Sequence, residues 1–132
     1  MVVDSSAVVA ILLRESDAPH LAAAIADNQP NFISAASLVE ASIVIEARKG
    51  SEGARDLDLF VYRADIEIVP VDAAQAEIAR GAWRKYGKGR HKAALNYGDC
   101  FSYALAKTMS TPLLYKGGDF DSTDLGNKVG KA

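Results

Sequence analysis

The sequence is poor in the residues that build disulfides and soft-metal sites. Its single cysteine, Cys100, excludes an internal disulfide and a cysteine-built metal site, and its apolar context predicts a buried, inert thiol. The two histidines, His20 and His91, do not stand in a metal-ligand spacing and are predicted to be surface residues. A metal site in this chain is therefore expected to use oxygen ligands.

Long hydrophobic runs and an excess of charge of one sign are also missing. No apolar run approaches the ~20 residues of a membrane span, and the N-terminus has no basic leader with a cleavage site. Fifteen Lys and Arg against 17 Asp and Glu give a formal net charge of −2, so nucleic-acid binding would have to rest on local patches. We therefore expect a soluble, cytoplasmic protein with no membrane association.

Short apolar runs alternate with helical patterns along the chain. Strands are predicted at residues 1–4, 31–34, 66–71 and 112–116, and helices at 5–16, 18–27, 36–49, 51–62, 73–86 and from 98 onward. This alternation predicts an α/β fold of three layers, α/β/α, with a mostly parallel central sheet. The length suits one domain over residues 1–125, and the tail 126–132 has no apolar pattern and is expected to fray.

Four acidic residues stand where a parallel sheet gathers its ligand-binding groups. Asp4 ends the first strand, Asp119 follows the last, and Asp99 opens the helix that precedes the last. The ligand crevice of a parallel sheet lies beyond the carboxyl ends of its strands, so these three carboxylates are expected to face one crevice. Glu40 falls on the apolar stripe of its helix, which predicts a position that is buried or faces a cavity. For Asp99, an ordinary helix cap is the alternative explanation.

Such a set of acids indicates a particular chemistry. Carboxylates without histidine or cysteine favour hard cations, namely Mg²⁺ or, as a substitute, Mn²⁺. These ions suit phosphodiester hydrolysis, because they activate water and neutralise the scissile phosphate. The sequence contains no P-loop, dinucleotide glycine fingerprint or nucleophile elbow that would favour another reaction.

A basic run, RKYGKGRHK at residues 84–92, directly precedes the helix of Asp99. It is either a solvated loop or a rim of the crevice that binds a phosphate backbone without reading its sequence. Tyr86 and Tyr97 are candidates for stacking on bases, with a place in the core as the alternative. The candidate phosphate contacts are Arg84, Lys85, Lys88, Arg90 and Lys92.

Four segments occur in order along the chain: MVVDSSAVVAILL, ISAASLVEASIVIEAR, LNYGDCFSYALAK and PLLYKGGDF. Together they resemble the PIN-domain nucleases of the VapC type, which are the toxin halves of bacterial toxin–antitoxin pairs. The resemblance runs from Met1 to about Leu125. It implies a PIN-like fold and a Mg²⁺-dependent endoribonuclease that is inhibited by a cognate antitoxin and is homodimeric.

The resemblance also implies roles for single residues. It makes Asp4, Glu40, Asp99 and Asp119 the catalytic set, with Asp4 and Asp99 as the principal metal ligands and the other two in support. Ser6 is implied to hydrogen-bond the phosphate or an acid, with a place at the helix start as the alternative. Asp121 and Asp124 stay open as residues that assist Asp119. The antitoxin is expected on helices near the crevice, at residues 7–13 and 36–47.

Two functions from other classes compete with a nuclease. A receiver-type phosphoacceptor domain would use Asp72 after the third strand and Lys116 after the last. It would also need paired acids after the first strand, where Asp4 is followed by two serines. A non-cutting, PIN-like scaffold that binds RNA or a protein is the second alternative, because acids alone do not establish turnover.

Overall fold

A computed structural model describes residues 1–126 and contains the predicted alternation of strands and helices. Four parallel strands form one sheet in the order β3-β2-β1-β4. The strands are β1 (Val2–Val3), β2 (Asn31–Ser34), β3 (Ile66–Val69) and β4 (Leu113–Leu114). The helices are α1 (Ser5–Leu12), α2 (Ala18–Asp27), α3 (Ala35–Arg63), α4 (Ala73–Tyr86) and α5 (Tyr97–Met109).

Helices cover both faces of this sheet, which confirms the three-layer α/β/α prediction. Val3 packs with apolar residues of α1, α2 and α3, whereas its neighbour Val2 packs with α4 and α5. Leu114 and Leu113 divide between the two cores in the same way. Successive residues of a strand point to opposite faces, so even two-residue strands serve both layers.

Several element boundaries differ from the predictions. The predicted bounds of α2, β2 and α4 are confirmed, but the helix predicted at 5–16 ends at Leu12 and β3 ends at Val69, before Pro70. Proline has no N–H to donate to a ladder, which explains the early end of β3. The serines at the start of this helix predict a serine N-cap, which is wrong: Asp4 is the N-cap, and its side chain accepts from the Ser6 N–H.

The predicted tail 126–132 lies outside the described residues except for Gly126. Within residues 1–126, no helix combines the length and apolarity that crossing a membrane would require.

The two helices predicted at 36–49 and 51–62 are the two arms of α3, which is broken at Gly50. Gly50 has φ 62° and ψ −151°, a backbone conformation that essentially only glycine adopts. Nothing lies within 4 Å of the position of an added Cβ, so this glycine is required by backbone conformation and not by packing. The break turns the second arm back toward β3, with Leu57 buried in the core.

We therefore expect Gly50→Ala to lower the free energy of unfolding by about 1–3 kcal/mol, the usual cost of holding a residue in a sparsely populated backbone region. Gly81, inside α4, is the matched control, since nothing lies within 4 Å of the position of an added Cβ and its φ is ordinary. Gly81→Ala should raise stability by roughly 0.5–1 kcal/mol. Urea denaturation of both variants measures the contrast, and equal effects would contradict this explanation of the break.

Candidate active site

Asp4 lies at the carboxyl end of β1 and is held by three hydrogen bonds. It is only 1% exposed. Its Oδ2 accepts from the Ser6 backbone N–H at 3.0 Å and the Ser6 hydroxyl at 2.6 Å, and its Oδ1 accepts from the Ser102 hydroxyl at 2.5 Å. A carboxylate oxygen has two lone pairs, so Oδ1, which accepts one hydrogen bond, can still accept a further partner, whereas both lone pairs of Oδ2 are used.

Ser6 also connects the ends of the neighbouring strands β1 and β4. Its Oγ accepts from the Lys116 backbone N–H at 3.0 Å while donating to Asp4. The Lys116 ammonium pairs with Glu15 and, at 3.3 Å, with Asp17. The resemblance implied that Ser6 hydrogen-bonds either an acid or the phosphate. In the structure its hydroxyl donates to an acid, Asp4. The Lys116 side chain, which the receiver alternative requires for phosphate, is occupied by two carboxylates.

Asp99 is both a helix-capping residue and a carboxylate that faces the other acids, the two explanations that the sequence left open. It is the third residue of α5, where its backbone N–H donates to Asn96 Oδ1 at 2.9 Å and its Oδ2 accepts from the Asn96 N–H at 3.0 Å. This reciprocal pair is a capping box. Asp99 thus caps its helix from the third position and does not open it, since α5 begins at Tyr97.

The pKa of Asp99 shows that the same carboxyl also faces other acids. Its pKa is raised to about 7, first by burial and then by the negative charges of Asp4 and Asp119 and a hydrogen bond with Asp119. The Asn96 hydrogen bond acts in the opposite direction and lowers the pKa. These three acids therefore meet at one place, as the strand-end argument predicted.

Glu40 reaches the same place from α3. Its Oε1 accepts from the Ser5 hydroxyl at 2.7 Å, next to Asp4. Its carboxylate also lies directly over Gly98, where an added Cβ would sit 2.2 Å from Glu40 Oε2 and 2.5 Å from Cδ. Gly98 precedes Asp99, so Glu40 occupies the corner between the starts of α1 and α5. Position 98 must lack a side chain for the carboxylate to stay there.

These acids have no cationic partner among the described residues. The ion pairs within residues 1–126 are Arg80–Glu77, Lys107–Asp124, Lys116–Glu15 and Lys116–Asp17. In that same part of the chain, no group of three or more His, Cys, Asp or Glu side chains is already arranged around a common metal position. The donor set nevertheless fits a hard divalent cation, because it offers only oxygen ligands and its repulsion is not neutralised by the protein.

Two serines that the sequence patterns did not single out, Ser37 and Ser102, support Asp4. Ser102 is fully buried and joins its hydroxyl to that of Ser37 at 3.0 Å as well as to Asp4. This chain of hydroxyls links α3, α5 and β1 beneath the acids. A signal was present, since Ser102 follows Asp99 by three residues and therefore shares its helix face.

The structure separates Asp119 from the two nearby acids that were left open. Asp124 accepts from the Tyr103 hydroxyl at 2.8 Å and the Lys107 ammonium at 2.7 Å. Lys107 follows Asp99 by eight residues of α5, which places its backbone about 12 Å away along the helix axis. Asp121 accepts from the Tyr115 hydroxyl at 2.7 Å. Asp119 is the acid of this segment that interacts with Asp99.

The basic run begins in the last turn of α4, with Arg84 and Lys85, and continues as an exposed loop. Its five lysines and arginines are all exposed, and the Arg90 guanidinium stacks over the Trp83 ring at 4.4 Å. Tyr86 is buried at 5% exposure, so its candidacy for base stacking is wrong, whereas Tyr97 is 80% exposed. His91, predicted to be a surface residue, is half-buried, with Nδ1 accepting from the Ala93 N–H at 3.0 Å.

Asp72, the proposed phosphoacceptor of the receiver alternative, caps α4. Its side chain accepts from the Gln75 N–H at 2.8 Å at the end of the edge strand β3. Asp4, by contrast, follows β1 in the middle of the sheet. The acids that come together are therefore not the ones that a receiver domain would use.

Known proteins share both the sequence and the fold of this chain. The family model described as PIN domain matches residues 1–125. A protein named Ribonuclease VapC from Mycolicibacterium smegmatis is 57% identical over 125 residues, covering 95% of this chain and 97% of that one. Ribonuclease VapC30 from Mycobacterium tuberculosis is 54% identical over 125 residues, covering 95% of each.

A solved structure adds an independent comparison of the fold. Mycobacterium tuberculosis VapC20, described as a Sarcin-Ricin loop cleaving toxin, superimposes with a TM-score of 0.74 over 92% of both chains at 18% identity. At that identity the likeness shows the fold alone. The sequence matches carry the assignment: the chain belongs to the PIN-domain family and, within it, to the VapC ribonucleases.

Proposed function

We propose that this protein is a Mg²⁺-dependent endoribonuclease toxin that hydrolyses RNA phosphodiester bonds and is inhibited by a cognate antitoxin. The observation that carries the proposal is the meeting of buried Asp4 and Asp99 with Asp119, at a place where none of the ion pairs within residues 1–126 neutralises their charge. Membership of a family whose relatives are named ribonucleases supports RNA as the substrate.

The catalytic groups proposed are Asp4, Glu40, Asp99 and Asp119. Asp4 and Asp99 would be the principal ligands of the metal, since both are buried and held by fixed hydrogen bonds. Glu40 and exposed Asp119 would complete the ligand set or orient water. PIN-domain ribonucleases generally depend on divalent metals, and an all-oxygen donor set favours Mg²⁺, with Mn²⁺ as a substitute. A divalent ion held there supplies positive charge at the scissile phosphate and makes a bound water more acidic.

The chain's own residues prepare this site in two ways. The hydroxyls of Ser6 and Ser102 orient the Asp4 carboxylate without neutralising its charge. The capping box fixes the Asp99 carboxylate relative to the α5 backbone. Both arrangements limit the side-chain motion that substrate binding would otherwise have to arrest, which favours a productive geometry.

The basic run at residues 84–92 is proposed to hold the RNA backbone. Its five exposed cations, Arg84, Lys85, Lys88, Arg90 and Lys92, precede α5 and its acids directly in the chain. Contacts of this kind bind phosphates without reading sequence and weaken as salt is added.

Ser6 is proposed as a residue that positions Asp4, because its hydroxyl already donates to Asp4 and accepts from the Lys116 N–H.

Two protein partners are proposed in addition to RNA. The antitoxin is proposed to cover the surface of α1 and α3, where Val39 and Ile43 stand 58% and 64% exposed on one helix face. The protein is also proposed to form a homodimer. Exposed Leu59 and Ile68 supply apolar area for a contact with a second copy. Light scattering of the purified protein, alone and with antitoxin, measures both associations.

The test of the proposed function is cleavage of cellular RNA by purified protein shown to be free of antitoxin. Discrete fragments are expected with Mg²⁺ and none with excess EDTA. Mapping the fragment ends would identify the target RNA and the cleavage sequence. Intact RNA under every metal condition, from a folded protein that still binds RNA, would favour the non-cutting scaffold instead.

A further inference from the structure

An apolar groove lies between α4 and α5, next to the acids but separate from them. It has a volume of about 560 Å³ and offers little polar surface. We call it the α4–α5 groove, and its apolar lining consists of Ala76, Ala79, Trp83, Tyr97, Cys100 and Phe101. Two of these rings are unusually accessible for their size, since Trp83 is 43% and Tyr97 80% exposed.

The rings of the groove are held in place before any ligand arrives. Tyr97 contacts Phe101 edge to face, with the ring centroids 4.9 Å apart and the planes at 78°. Gly87 packs against Trp83. A Cβ added to Gly87 would lie 2.4 Å from the Trp83 carbonyl oxygen and 2.6 Å from the Trp83 indole Cδ1. Fixed aromatic rings lose little conformational entropy when a planar group stacks on them.

Positive charge surrounds these rings, although the chain as a whole has a formal net charge of −2. Arg80 and Arg84 line the groove, and Arg90 lies over the Trp83 ring. Arg80 is paired with Glu77, but none of the ion pairs within residues 1–126 uses Arg84. Exposed aromatic rings beside unpaired guanidinium groups are what single-stranded nucleic acid binds, through base stacking and phosphate contacts.

The groove also lies directly beside the acids, within reach of a nucleotide that adjoins the scissile phosphate. Tyr97 is two residues before Asp99, and the intervening Gly98 lies against the Glu40 carboxylate. A strand of RNA with its scissile phosphate at the acids would therefore have a neighbouring nucleotide at the Tyr97 ring.

We propose that the α4–α5 groove is a nucleotide subsite of this ribonuclease, in which one base of single-stranded RNA stacks on Tyr97 beside Trp83 and Arg84 contacts an adjoining phosphate. The proposal rests on the proposed function, since it assigns a part of the substrate to a place beside the catalytic acids. Aromatic and arginine residues also anchor protein interfaces, so a second copy of the chain is the competing occupant.

The binding test uses Trp83, the only tryptophan of the chain, as its probe. A short single-stranded oligoadenylate is titrated into the full-length protein in EDTA, so that no metal-dependent cleavage occurs, and tryptophan fluorescence is followed. Saturable quenching is expected. Tyr97→Ala should weaken the affinity roughly five- to hundredfold, the loss typical of one base–aromatic stack, whereas Tyr97→Phe should keep most of it. Tyr62→Ala is the matched control, because Tyr62 is 83% exposed on α3 and lies outside the groove.

Unchanged affinity of Tyr97→Ala, or no quenching of the wild-type protein, would overturn the subsite. The fluorescence titration requires no cleavage, so it tests the subsite even if the protein proves not to be a nuclease. Conversely, a wild type that cleaves RNA alongside an equally active Tyr97→Ala variant would remove the subsite and leave the proposed function standing. Light scattering addresses the competing occupant, since a dimer that Tyr97→Ala converts to monomer would assign the groove to a contact between copies.

Discussion

Asp99→Asn is expected to reduce RNA cleavage by roughly 10²–10⁴-fold while the protein remains folded. Asparagine is close to aspartate in volume, and its side-chain oxygen can still accept from the Asn96 N–H, so the capping box keeps its acceptor. The substitution removes one of the two charges that are proposed to hold the metal. Initial rates of cleavage at saturating Mg²⁺, with circular dichroism to verify folding, measure the effect.

The stability of the same variant tests the electrostatic explanation separately. Asp99 has its folded-state pKa raised from 3.8 to about 7, so the native state binds this proton more tightly than the unfolded chain does. Without metal, its contribution to stability therefore falls as the pH rises from about 4 to 7, and the cost of the ionised carboxylate is fully present above pH 7. That cost is on the order of 2 kcal/mol after allowance for solvent screening.

At pH 8 and in EDTA, Asp99→Asn should thus be more stable than the wild type, and the difference should vanish near pH 4. Adding Mg²⁺ should raise the melting temperature of the wild type and have little effect on the variant. Asp56→Asn, at an exposed aspartate of α3, is the control for loss of charge alone. An Asp99→Asn protein that cleaves RNA at the wild-type rate, or responds fully to Mg²⁺, would remove Asp99 from the site.

Gly98→Ala is expected to lower cleavage by about 10- to 100-fold, although it changes no acid and adds only a methyl group. The new Cβ would lie 2.2 Å from Glu40 Oε2, so the carboxylate has to leave its place between Ser5 and Gly98. A displacement of about 1 Å in a catalytic group can cost on the order of a hundredfold in rate. Glutamate is flexible, so the side chain can move without disturbing the backbone.

Stability should therefore change little in this variant. Loss of the Ser5 hydrogen bond costs about 1 kcal/mol, and alanine recovers a similar amount over glycine within the helix. Measured together, kcat and the free energy of unfolding separate a misplaced carboxylate from a damaged fold. Gly81→Ala provides the comparison, since it should be stabilised and fully active. If Gly98→Ala were equally active, Glu40 would not need the position it has in this structure.

Sequence patterns predicted the positions of the acids because strand and helix ends follow local rules. Asp4 and Asp119 follow strand patterns, and the carboxyl ends of parallel strands share one edge of the sheet. Periodicity likewise predicted the bounds of α2, β2 and α4. The predicted start of α5 was wrong by one residue, because Asn96 caps this helix and a pattern of apolar residues does not say which polar side chain binds the first free N–H.

The sequence by itself determined that acids would gather, that they would offer only oxygen ligands, and to which family the chain is similar. Only the tertiary structure decided how they are held. Ser102 and Asp4 are 98 positions apart, and Gly98 meets Glu40 from another helix. The tertiary structure also decided which tyrosine is accessible, since Tyr86 is buried and Tyr97 is exposed. Local patterns report a residue's own helix or strand, whereas burial and hydrogen bonding depend on which distant segments pack against it.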